Sequence, residues 1–178
     1  MDRWATVWAF VHVLSWATYM GGALVMEFVW RPAQQHLPPS QTAVACQWMG
    51  RRYRWVALAA LLGAGSSGAA RLVAAGQISL SPPVFGDQLA LSNGYGRTIL
   101  ATTVLWAVML GTVGLLSLVA HPALHVRMRS DMTDEERGAA RSAVMKAIRR
   151  MDIVLRVDLV LAAVAALLGA SLSFGGIL

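Results

Sequence analysis

The feature that most constrains this chain is the placement of its charges: they sit in short clusters, and the clusters separate four long apolar runs. Each run reaches the roughly 20 residues that a helix needs to cross the hydrocarbon core of a bilayer. The first extends from about Trp4 to Trp30 and is closed by Arg31-Pro32. The second starts near Trp55, after Arg51, Arg52 and Arg54, and fades near Ala75. The third follows Tyr95-Gly96-Arg97, opening at about position 98, and ends near Ala120, just before His121-Pro122. The fourth runs from near Ile153 to about position 176. Four spans are too few, and too continuously apolar, for an alternating barrel, so all four read as helices. The expected fold is all-α: a polytopic membrane protein in which residues 1–178 form one four-transmembrane-helix bundle.

Composition agrees. Hydrophobic residues make up 57% of the 178 residues and charged residues only 13%, against about 25% charged in a soluble domain. A formal charge of +6 can mark a phosphate-binding surface. Here the basic residues flank apolar spans, where membrane topology calls for them, and no nucleic-acid partner is expected. The lone cysteine, Cys46, cannot form an internal disulfide. The first run is too long for a signal-peptide core and lacks a strong basic lead, so no cleavable signal is expected.

Orientation follows from the same residues. The segment between spans one and two carries Arg31, Arg51, Arg52 and Arg54. The one between spans three and four carries Arg127, Arg129, Arg137, Arg141, Lys146, Arg149 and Arg150. The opposite side offers only Arg3, Arg71 and Arg97. The positive-inside rule then places both basic connections in the cytoplasm and both termini outside, on the periplasmic face of an inner membrane.

The connections differ in kind. The outer one, Gly76 to Gly94, contains Ser81-Pro82-Pro83 and Asn93-Gly94 and reads as a loop with turns. In the inner one, Thr133-Asp134-Glu135-Glu136 is a capping box. It opens a short amphipathic helix over about 134–150 that leads into span four, with a basic face suited to anionic headgroups. Small residues four apart in span two (Gly63 with Ser67, Ala64 with Gly68) permit close backbone approach. Gly111 and Gly114 in span three, and Gly169 and Ser173 in span four, add to the set. Tight packing inside the bundle accounts for them; a homodimer face is the alternative.

Ionisable groups inside spans are costly and therefore informative. His12 lies two turns into span one, and a seven-residue step returns to nearly the same face. His12, Tyr19 and Met26 thus form a stripe flanked by Trp8, Ser15 and Trp16. A neutral imidazole facing a bundle interior can ligate haem iron or another metal, or simply hydrogen-bond to a neighbouring helix. His36, His121 and His125 fall on the cytoplasmic side, and the last two are four apart. With a third ligand they make a candidate divalent-metal site, provided the helix survives Pro122. Glu27 and Arg31 have helical ion-pair spacing. Together with Asp152, Arg156 and Asp158 they suggest a charge network between spans one and four, with a proton path as the sharper alternative. The nine methionines show no tight clustering that would favour copper(I). There is no phosphate loop, nucleophile elbow, thiol pair or dinucleotide fingerprint.

The run His12-Val-Leu-Ser-Trp16-Ala-Thr-Tyr19-Met20-Gly21-Gly22, followed by Arg31-Pro32, resembles the first helix of the copper resistance protein D superfamily, which includes the HemJ-type protoporphyrinogen oxidases. The basic-led, Gly-rich stretch from Arg54 to Arg71, the Tyr95-Gly96-Arg97 that opens the third helix, and the last span after Arg149-Arg150 are similar too. The resemblance covers most of the chain. It implies a four-helix bundle in a bacterial inner membrane holding b-type haem, with His12 in the place of the family's haem-ligating histidine. The family's second ligand is a lysine early in the third helix. Here that stretch reads Thr98-Ile99-Leu100-Ala101-Thr102-Thr103. Another ligand such as Met20, a five-coordinate iron, or no haem at all are then the alternatives, and Tyr19 joins His12 and Met20 as a candidate cofactor contact.

Three functions follow as expectations. The first is a haem b-binding redox or electron-transfer protein. The second is a non-catalytic subunit packed against other membrane subunits. The third is a handler or transporter of copper or another metal ion. No substrate is legible in any of them.

Overall fold

The computed structural model describes residues 3–78, 86–116 and 133–178. Every element within them is helical: α1 (Arg3–Val25), a π-helical segment (Met26–Trp30), α2 (Arg31–Gln34), α3 (Pro39–Ala74), α4 (Gly94–Leu115) and α5 (Asp134–Ser171), with 3₁₀ turns at Asp87–Leu89 and Leu172–Phe174. Four stretches are long and apolar enough to cross a membrane: Arg3–Gln34, Val44–Ala74, Gly94–Leu115 and Ile148–Phe174.

Span one does not stop at Arg31-Pro32. A proline ring inside an α-helix clashes with the carbonyl four residues back, here that of Phe28. The π segment immediately before Pro32 widens the turn, and the Arg31 N–H bonds the Met26 carbonyl, five residues back. The helix therefore passes through Pro32 and ends at Gln34. Span two likewise begins earlier than Trp55. Its helix starts at Pro39, and Arg51, Arg52 and Arg54 lie within it. Arg52 and Arg54 rest their guanidinium groups over the rings of Trp48 and Trp55, at 4.3 and 5.0 Å. Span three starts a turn before Arg97, because the Asn93 side chain accepts the Gly96 N–H at 2.7 Å and caps the helix. Asn93-Gly94 is thus a helix start rather than a loop turn. Ser81-Pro82-Pro83 lies outside the described residues.

The capping box forms as the sequence predicts. Glu136 Oε2 accepts the Thr133 N–H at 2.8 Å, and Thr133 Oγ1 accepts the Glu136 N–H. The helix it opens runs on without a break: the amphipathic stretch and the fourth apolar run are one continuous helix, α5.

α1 packs along α3, α3 against α4, α4 against α5, and α5 closes the ring onto α1. Residues paired across the contacts run in opposite directions, His12 with Ser67 and Gly22 with Tyr53, then Thr112 with Asp158 and Thr98 with Ile177. Neighbouring helices are therefore antiparallel. At the far end the chain turns back on itself. Gly176, at φ +86°, sits against the Gly94 carbonyl and the Thr98 hydroxyl, and that hydroxyl accepts the Ile177 N–H at 3.2 Å. Only glycine fits there, for want of room and because of the positive φ.

The distribution of side chains would suit a bundle in lipid. The interior holds small and polar residues (Ala57, Ala64, Ala162, Ala165, Ser67, Thr98) around Leu61, Met109 and Tyr19. The outer face carries the bulky ones: Phe10 is 65% exposed, and Val13, Phe28, Val160 and Leu167 are similarly exposed. Small residues inside allow close helix approach where lipid removes the usual hydrophobic drive. Gly63 meets the Ser15 side chain, Gly65 the Trp106 indole and Gly68 the His12 ring. Gly111, Gly114 and Gly169 instead face open space, and Ser173 is exposed, so packing inside the bundle explains the small residues of span two and not these.

Candidate functional site

His12 is placed by the narrow groove of α3. Gly68 leaves its ring a berth, and a Cβ at that position would come within 3.3 Å of Cε1. The imidazole Nδ1 lies 2.9 Å from the Ala64 carbonyl and 3.2 Å from Ser67 Oγ. A carbonyl can only accept, so Nδ1 carries the proton and donates it, leaving the lone pair on Nε2. Ser67, fully buried, gives its own hydroxyl proton back to the Gly63 carbonyl. The histidine is thus held by the neighbouring helix in one tautomer, as metal-bound histidines are held by partners of their second nitrogen.

Trp16 stands edge-on between His12 and Tyr19, with ring centroids 6.5 and 6.4 Å away. Tyr19 belongs to the core, and Met20 packs against it. Eight residues of helix put the Met20 backbone about 12 Å along α1 from that of His12.

His36 is exposed, in the short connection between α2 and α3. His121 and His125 lie outside the described residues. Among the described residues, no group of three or more His, Cys, Asp or Glu is placed to hold a metal ion.

The charges between spans one and four separate into two sets. At the Arg31 end of span one, Arg31 joins Glu27 (2.8 Å) to Asp152 (2.9 Å), and Arg156 Nε donates to Glu27 Oε1 at 2.9 Å. Glu27, Arg31 and Asp152 line a cavity of about 50 Å³, room for a few waters. Ala23 lines it from α1, Cys46 and Gly50 from α3, and Leu155 from α5.

Asp158 is not part of that network. It is 2% exposed and turned into the bundle. Thr112 of α4 places its hydroxyl 2.8 and 3.0 Å from the two carboxyl oxygens. Tyr19 of α1 and Tyr53 of α3 face the same group. Each of the four long helices thus contributes one polar side chain to a cluster around the buried Asp158. Part of this was legible: at 100° per residue Asp152 and Arg156 share a face of α5, whereas Asp158 lies about 200° round from Arg156. The partners Thr112, Tyr19 and Tyr53 come from three other helices, and no local pattern announces them.

Compared with protein-family models, curated proteins and solved structures, the chain finds no match in any of the three.

Proposed function

We propose that this chain is an integral protein of a bacterial inner membrane, related to the copper resistance protein D superfamily, which binds b-type haem through His12 and serves in electron transfer. Both termini face the outer side, as the basic residues at Arg51–Arg54 and Arg137–Arg150 favour. The observation that supports the haem reading is the anchoring of His12. Its Nδ1–H is given to the Ala64 carbonyl at 2.9 Å, which leaves Nε2 as the only ring nitrogen with a lone pair and raises its basicity. A bound haem would supply one-electron exchange. The chain's own residues orient the imidazole (Ala64, Ser67), pack against its edge (Trp16) and keep bulk away from it (Gly68). No lysine stands near the start of α4, and α1 supplies His12 as the ligand.

The test is an ultraviolet-visible spectrum of detergent-purified protein from haem-replete cells, air-oxidised and then dithionite-reduced. A Soret band that sharpens on reduction, with b-type α and β bands, is expected, and His12→Ala is expected to lose it. A featureless spectrum from folded protein, or full haem content in His12→Ala, overturns the reading. The orientation is tested separately by reporter fusions. Alkaline phosphatase is expected to be active at either terminus and inactive when inserted after Arg137.

A further inference from the structure

Asp158 has no cationic partner among the described residues: the ion pairs nearest to it are those of Glu27 and Asp152 with Arg31 and Arg156, about a turn nearer the Asp134 end of α5. The groups that face it are Thr112 from α4, Tyr19 from α1 and Tyr53 from α3. A lone negative charge buried at that depth is costly unless something neutralises it.

Counting hydrogens points to what does. Thr112 Oγ1 lies 2.8 and 3.0 Å from the Asp158 oxygens and 2.9 Å from the Met109 carbonyl. A hydroxyl has one proton to give, and neither a carbonyl nor an ionised carboxylate has any. With Asp158 ionised, the single threonine proton serves either the carboxylate or the Met109 carbonyl, and the other is left without a hydrogen from Thr112. With Asp158 protonated, the carboxyl O–H donates to Thr112 Oγ1 and the threonine proton goes on to the Met109 carbonyl, so both partners of the hydroxyl are bonded.

The cavity beside Glu27 and Asp152 is lined by Ala23, one turn past Tyr19, and by Leu155, one turn before Asp158. On the other side the indole of Trp16 packs between Tyr19 and His12. The polar cluster therefore lies nearer to this cavity than to the His12 end of the bundle.

We infer that Asp158 is a proton-carrying site, a neutral carboxyl inside the bundle that exchanges its proton with water in the cavity between α1, α3 and α5. On uptake, a proton from that water forms the carboxyl O–H, and Thr112 accepts its hydrogen bond; on release, the proton returns by the same route. The inference stands whether or not His12 binds haem.

The experiment is infrared spectroscopy of the full-length protein in lipid nanodiscs at neutral pH. A protonated-carboxyl C=O stretch is expected that shifts down within minutes of transfer to D₂O and is absent in Asp158→Asn. In Thr112→Val the band is expected to move up as its hydrogen bond is lost. If Asp158→Asn does not fold, Asp158→Glu takes its place and must displace the band. A wild-type spectrum with no band that depends on residue 158 overturns the inference, because the group is then ionised. A band that does not shift in D₂O overturns the exchange with the cavity.

Discussion

Gly65→Leu is expected to destabilise the bundle by about 3 kcal/mol, the upper range for forcing bulk into a packed site. The reason is local. Even a Cβ at Gly65 would run into the indole of Trp106, with Cε2 only 2.6 Å away. The indole cannot step aside, because its Nε1–H donates to the Leu61 carbonyl at 2.7 Å and fixes the ring along the groove of α3. Trp106→Ala alone should also cost about 3 kcal/mol, through the void it leaves. In the double variant the leucine occupies part of that void, so the two costs should fall short of additive by about 2 kcal/mol. Unfolding titrations in mixed micelles measure all three. Strict additivity would mean that the glycine is not there for the tryptophan.

Removing the bridging guanidinium is the second large effect. In Arg31→Met, Asp152 loses the Arg31 contact that ties it to Glu27, and two carboxylates face a single remaining guanidinium, that of Arg156. Breaking a fully buried pair costs 3–5 kcal/mol and an exposed one less than about 1. Arg31 is 26% exposed, with Glu27 at 22% and Asp152 at 33%, so about 2 kcal/mol is expected. Arg156→Met should cost less than half of that, since Arg156 is 56% exposed and Glu27 keeps Arg31. High salt should narrow the gap between the wild type and both variants. Equal losses in the two variants would show that the network is not organised around Arg31.

The four long apolar helices were legible because they depend on local composition, which a bilayer would make decisive. The Thr133 capping box was legible for the same reason: all of its atoms lie within four residues. Helix ends were less so. Hydropathy marks where apolar sequence stops, whereas the helix stops where its backbone bonds do. α3 therefore begins at Pro39, ahead of the apolar run, and span one passes Pro32 by way of a π turn. At Asn93 a capping side chain was present in the sequence, and the following glycine made it resemble a turn. The site divides in the same way. The pairing of Glu27 with Arg31 follows from spacing on one helix. The seating of His12 on Ala64 and the gathering of Thr112, Tyr19 and Tyr53 at Asp158 depend on which helices become neighbours. A single sequence does not encode that as a pattern.

Because α5 is unbroken from Asp134 to Ser171, it is a rod of about 57 Å, nearly twice the roughly 30 Å hydrocarbon thickness. Its first half precedes the clasp of Glu27, Arg31, Asp152 and Arg156. Asp158 sits just beyond that clasp, towards the Ser171 end. With no break in the helix between them, the exposed acidic start at Asp134–Glu136 and the buried Asp158 belong to one continuous rod.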